Sequence, residues 1–218
     1  LAATATATAT SCNGACNGQA TVSVSGGTWP YAYLWNTNPV QTTPISTGLC
    51  AGSYKVTITD IKGCTDTVGV IITQPAAITA TATATSPNCS GQCNGSATLT
   101  ASGGTIPYTY IWNDPSLQTT PSAVGLCAGT FTVTVSDNKG CTSSATVTVT
   151  NPAGMGLSIS ITKATCGNSN GTAAVAVAGG SSPYTYLWNN GQSSASATGL
   201  AAGAYSVTTT DNNNCTIT

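Results

Sequence analysis

Four cysteines that return at a fixed interval constrain this chain more than any other feature. Cys12, Cys16, Cys50 and Cys64 recur as Cys89, Cys93, Cys127 and Cys141, each 77 positions on (12 to 89, 16 to 93, 50 to 127, 64 to 141). The landmarks between them return in the same order. SGGTWPYAYLWN (25–36) becomes SGGTIPYTYIWN (102–113) and then AGGSSPYTYLWN (178–189); GLCAGSYKVTITD (48–60) becomes GLCAGTFTVTVSD (125–137) and then GLAAGAYSVTTTD (199–211). A period of this length means a tandem array in which each repeat is a small folding module. The expected boundaries are 1–76, 77–153 and 154–218, with joints at QPAAI (74–78) and NPAGMGL (151–157). Joints this short predict closely coupled neighbours.

The third copy differs informatively. Ser169 stands where the second repeat has Cys93, and Ala201 where it has Cys127, while Cys166 and Cys215 remain. Cysteines in an oxidising compartment tend to be lost in pairs, because a lone thiol is reactive. The expected bonds are therefore Cys16–Cys50 and Cys93–Cys127, leaving Cys12–Cys64, Cys89–Cys141 and Cys166–Cys215. The competing reading is a metal site, since Cys12 and Cys16 have a C-x3-C spacing. Loss of two ligands would break such a site, and the chain has no His to replace them. Disulfides place the chain outside a reducing cytosol.

Within a repeat, short segments alternate Val or Ile with Thr or Ser, as in ATVSVS (20–25), YKVTITD (54–60) and ATVTVT (145–150). Period-two alternation marks half-buried antiparallel strands. In the second repeat strands are expected near 78–86, 96–102, 108–113, 117–123, 130–136 and 144–150. Residues 60–63, 137–140 and 211–214 predict hairpin turns with Gly63, Gly140 or Asn214 in the left-handed position. The fold class is all-β, a tandem array of three immunoglobulin-like sandwiches stapled by disulfides. Trp35, Trp112 and Trp188 share strand parity with the preceding tyrosines and are expected in the cores. Tyr54, Phe131 and Tyr205 occupy a position resembling a tyrosine corner. The chain stops at CTIT, where earlier repeats continue into another strand; the expectation is a fragment of a longer array, the alternative a strand lent by a neighbouring chain, which would build filaments.

Only 4% of the residues are charged, and there is no His, Arg or Glu, against roughly 25% charged in an average protein. Nothing here titrates near neutrality without a strong shift, so the chain is poorly equipped for proton transfer. Asp60, Asp137 and Asp211 recur with the turn, and no second carboxylate travels with them. Too few oxygens accompany them for a calcium site unless carbonyls contribute, so no catalytic residue, metal or cofactor is expected. A net charge of -1 offers nucleic acid no handle, and no apolar run is long enough to insert in a membrane.

The strings CNGSATLTASGGTIPYTYIWN (93–113) and GLCAGTFTVTVSDNKGCT (125–142) resemble the SprB repeat of large Bacteroidota surface proteins, and the resemblance extends over nearly the whole chain. The GG-x-x-PYTY-x-W stretch is also similar, in architecture alone, to a PKD domain. The SprB resemblance implies type IX secretion, display at the cell surface, and a role in adhesion, gliding motility or extracellular filaments; it implies no catalytic residue. It further implies that Thr67, in Asp66-Thr67-Val68, is an acceptor for O-glycosylation.

Three functional readings follow. A stalk or adhesive module would have neighbouring repeats as its partners and could self-associate into fibres. A surface polysaccharide-binding module would use Trp29, whose counterparts Ile106 and Ser182 show that no shared core position demands an indole; the alternative for Trp29 is packing on its own or a neighbouring domain. A flat-surface or ice-binding role would use the Thr rows at 3–10 and 79–85, which LSISITKAT (157–165) abandons.

Overall fold

A computed structural model describes residues 1–218. It contains strands and no helix. The first repeat forms β1 (Ala2–Thr8), β2 (Gly18–Ser25), β3 (Tyr31–Trp35), β4 (Ile45–Leu49), β5 (Gly52–Asp60) and β6 (Thr65–Ile72). One antiparallel sheet has the order β1-β2-β4 and the other β3-β5-β6. Splitting consecutive strands between two sheets in this way is the A-B-E and C-F-G arrangement of an immunoglobulin domain without its D strand.

The second repeat supplies β7 (Thr79–Thr85), β8 (Gly95–Ser102), β9 (Thr109–Trp112), β10 (Ser122–Leu126), β11 (Gly129–Ser136) and β12 (Thr142–Val149). The third supplies β13 (Gly156–Thr162), β14 (Gly171–Ala178), β15 (Thr185–Trp188), β16 (Ser196–Leu200), β17 (Val207–Thr210) and β18 (Thr216–Ile217). Their sheets repeat the same order: β10-β8-β7 with β12-β11-β9, and β13-β14-β16 with β15-β17-β18.

By contacts the chain divides into two compact units. One contains Leu1–Thr81 with Leu99–Ile111 and Val133–Ala145; the other contains Ala82–Thr98, Trp112–Thr132 and Thr146–Thr218. In the first unit, Ala20, Val22 and Leu49 of one sheet meet Trp35, Val56, Ile58 and Ile72 of the other. In the second, Ala173, Val175, Ala197 and Leu200 meet Trp188 and Val207. The alternation explains the layers: Val56 and Ile58 point inward with no exposure, while Thr57 faces solvent and bonds Thr67 across the strands at 3.2 Å. Each buried indole finds a carbonyl for its N–H, which removes the cost of an unpaired donor. Trp35 Nε1 donates to Thr43 O at 2.9 Å, Trp112 Nε1 to Thr120 O at 3.0 Å and Trp188 Nε1 to Ser194 O at 2.9 Å.

The fourth strand of the second repeat lies at Ser122–Leu126 rather than 117–123. Leu117 takes a positive φ of 48°, and Gln118 belongs to the loop. Its amide brackets Val124, with Nε2 donating to the carbonyl at 2.9 Å and Oε1 accepting the Val124 N–H at 3.0 Å. Gly125, with a φ of 69°, forms a bulge within the strand between Val124 and Leu126.

Candidate functional site

The site is built from two local structures that occur in every repeat. The first is the hairpin turn after the fifth strand. Gly63 (φ 84°), Gly140 (φ 79°) and Asn214 (φ 63°) hold its left-handed position, and an Asp organises it. Asp60 Oδ1 accepts the N–H groups of Lys62 and Cys64, both at 2.9 Å, and its Oδ2 accepts Thr28 N–H at 3.0 Å. Asp137 receives Lys139 (2.8 Å), Cys141 (2.9 Å) and Thr105 (2.8 Å) in the same way. Asp211 receives Asn213, Cys215 and Ser181, all at 2.9 Å. The carboxylate thus fixes the turn cysteine and ties the hairpin to the Gly-Gly loop. A Cβ on Gly104 would lie 2.8 Å from Asp137 Oδ2 and 2.7 Å from Ile78 Cγ1, so only glycine fits.

These backbone donors hold the carboxyls below their ordinary value of 3.8. At Asp60 the Cys64 N–H is the largest cause and outweighs burial. At Asp137 and Asp211 burial pushes upward most strongly, but the combined N–H donors, led by Cys141 and Cys215, prevail.

The second structure is the loop after the first strand of each repeat. The residue before its first cysteine donates to an Asn side chain: Ser11 N to Asn17 Oδ1 at 2.9 Å, Asn88 N to Asn94 Oδ1 at 3.0 Å, and Thr165 N to Asn170 Oδ1 at 2.9 Å.

Cysteines Cys16 and Cys50, and Cys93 and Cys127, are joined within their repeats. The remaining expected pairs are not the ones formed. Cys12 bonds Cys141, Cys89 bonds Cys215, and Cys64 and Cys166 are exposed free thiols. In both cross-repeat bonds the Cα atoms are 5.6 Å apart, within the usual span for a disulfide.

Strand register explains why Cys12 cannot reach Cys64. Thr8 pairs with Gln19 and Ala2 with Ser25, so the Cys12 loop leaves from one end of the sandwich. Asp60 pairs with Tyr31, which puts the Cys64 turn at the other end. A seven-residue strand separates them by roughly 20 Å. The loop of one repeat instead meets the turn of the next. Loss of Cys93 and Cys127 counterparts identifies the local pair but says nothing about whether the rest pair inside a repeat.

The two joints share further details. The turn sulfur lies 3.4 Å from Ser11 O at Cys141 and 3.5 Å from Asn88 O at Cys215. At the first joint, in addition, Gly104 N–H donates to Ala76 O at 2.9 Å, which seats the linker against the Gly-Gly loop.

Trp29 lies in the loop between β2 and β3 with 79% of its surface exposed, and Ile106 at the matching position is 74% exposed. Thr67 is exposed on β6. Asp66 beside it accepts Ala3 N–H at 2.8 Å, pinning the edge of β1. Sequence reading missed the bracketing glutamines. Gln41, Gln118 and Gln192 each span a residue of the fourth strand, and their recurrence between the Trp and the GL step was the available signal.

The class defined by this arrangement is a tandem immunoglobulin-like repeat protein with disulfides inside and between its repeats. The SprB repeat profile matches residues 4–40, 81–117 and 158–193, about half of the chain. The chain belongs to the SprB repeat family and is a repeat module of a cell-surface protein. No curated protein sequence matches it. Among solved structures it is similar to the N-terminal eight Ig domains of Down syndrome cell adhesion molecule (DSCAM), with 9% identity, a TM-score of 0.36, and coverage of 86% of this chain and 31% of that one. It is also similar to an amphioxus IgVJ-C2 molecule, with 14% identity, a TM-score of 0.29, and coverage of 67% and 96%. The chain spans about a third of the length of the Dscam structures it matches. The strand order, rather than these likenesses, carries the fold assignment.

Proposed function

We propose that the chain is a non-catalytic, load-bearing adhesive module, secreted through the type IX route, that serves surface attachment or gliding. The folding modules in this reading are the repeats 1–76, 77–153 and 154–218. The observation that carries it is the pattern of cross-repeat disulfides.

Cys12–Cys141 and Cys89–Cys215 turn the linear chain into a covalent ladder. Three segments then run in parallel between the two bonds: Cys12 to Cys89, Cys89 to Cys141, and Cys141 to Cys215. The middle segment is shortened again by Cys93–Cys127. Pulled from its ends, the oxidised chain is limited to a covalent path on the order of 130 Å, against on the order of 750 Å for the open chain. A module stapled in this way transmits tension without unravelling. Four Lys and no Arg also leave few sites for trypsin-like proteases.

Single-molecule pulling through the termini tests this. The oxidised chain should stop extending near the shorter limit, and reductant should release the rest. Equal extension in both conditions would defeat the reading.

A second reading is favoured by the exposure of Trp29, since a free indole face stacks on a sugar ring. In it the module binds surface polysaccharide, and Trp29→Ala abolishes retention on a glycan array. Retention unchanged by that substitution would remove it. O-glycosylation of Thr67 fits its exposed position; an unmodified peptide from natively secreted protein would exclude it.

A further inference from the structure

We infer that Cys64 and Cys166 are the two open halves of the same joint, and that each is closed head to tail by the complementary half of a further repeat of the same kind, which a second copy of this chain supplies. Three turn cysteines (Cys64, Cys141, Cys215) and three loop cysteines (Cys12, Cys89, Cys166) form only two bonds. The unbonded pair comprises the turn of the first repeat and the loop of the third.

Both halves are assembled like those that are bonded. Cys64 is held by Asp60 through the same N–H contacts that hold Cys141 and Cys215. Cys166 follows Thr165, whose N–H is bound by Asn170 as Ser11 and Asn88 are bound in the joined loops. The carbonyls of Ser11 and Asn88 face the partner sulfur, and Thr165 occupies the corresponding place next to Cys166. Because the chain carries one half of each kind, it is complementary to itself.

Closure requires an oxidant, and a small-molecule disulfide such as oxidised glutathione suffices. The Cys64 thiolate attacks glutathione disulfide, forming a mixed disulfide and releasing one reduced glutathione. The Cys166 thiolate of the second copy then attacks the Cys64 sulfur, forming the protein disulfide and expelling the second glutathione. Two protein thiols are oxidised, one glutathione disulfide is reduced, and the two protons leave on the glutathione thiols.

The test is to oxidise the 218-residue chain with glutathione disulfide, separate the products without reduction and map the bonds by mass spectrometry. A ladder of multimers joined by Cys64–Cys166 peptides is expected. Cys64→Ser and Cys166→Ser alone should each lose the ladder entirely, and their mixture should stop at dimers. Both substitutions fall at exposed thiols outside any bond, so folding is unaffected. Absence of multimers, or joining through Cys64–Cys64 or Cys166–Cys166, overturns the inference. So does multimer formation by either single variant.

Discussion

The first and third repeats share strand order, a buried Trp and an Asp-centred turn, yet their cores close differently. In the first, β6 runs eight residues and Ile72 packs so tightly that a Cβ on Gly18 would come within 2.6 Å of its Cγ2. In the third, only Thr216 and Ile217 of the corresponding strand, β18, fall within the 218 residues. The corresponding face around Trp188, Leu200 and Tyr205 is a groove of about 460 Å³, and Ile159 and Ile161 are 54% and 67% exposed. The third repeat also lacks the local staple. Alternation and turn chemistry are therefore enough to set the topology, while the sixth strand and the staple supply much of the closure.

The largest expected effect separates the two indoles. Trp35→Ala should cost about 3–5 kcal/mol, as expected for truncating a large aromatic side chain in a closed core. Trp188→Ala should cost less, because one wall of its surroundings already opens to the groove. Native-state hydrogen exchange at Val56 and Val207 reads the repeats separately. Equal losses would mean that the sixth strand adds little to closure.

Next comes the staple. Replacing Cys16 and Cys50 together with Ser removes a bond spanning 34 residues and should cost the first repeat about 3–4 kcal/mol in the loop-entropy treatment. The third repeat keeps the geometry for such a bond. A Cβ on Gly199 would lie 3.9 Å from Ser169 O, against 4.0 Å for Gly48 and Cys16 O. Ser169→Cys with Ala201→Cys should therefore form the disulfide and raise the protection of β17. A pair that stays reduced under oxidising conditions would show that the third repeat has diverged in backbone as well as in sequence.

Sequence made much of this legible where the signal was local. The alternation in 54–60 fixed β5, the recurring Asp marked the turn, and Asn214 was recognisable as a left-handed residue. The joints were hidden because pairing between repeats depends on which end of a sandwich each loop leaves from. That is a property of strand register, which cysteine spacing does not encode. Phe131 illustrates a middle case: Tyr54 and Tyr205 bond backbone carbonyls four residues upstream, at 3.1 and 3.3 Å. Their second-repeat counterpart holds the ring position without the bond.

The smallest effects concern two buried hydroxyls, one in each of the compared repeats. Ser46 Oγ and Thr209 Oγ1 are fully buried and have no hydrogen-bond partner. The equivalents of Ser46 are Ala123 and Ala197, also unexposed, and those of Thr209 are Ile58 and Val135. The other repeats thus solve the same packing positions with apolar side chains. An unsatisfied buried hydroxyl costs about 1–3 kcal/mol, so Ser46→Ala and Thr209→Val should each stabilise their own repeat, at the low end of that range where the backbone can relax. Ala123→Ser, placing the same hydroxyl in the second repeat, should cost a similar amount. Exchange protection of β5 for Ser46→Ala and of β17 for Thr209→Val gives the comparison directly. If Thr209→Val stabilises while Ser46→Ala does not, the tighter core of the first repeat needs the volume of the hydroxyl more than it suffers from its polarity.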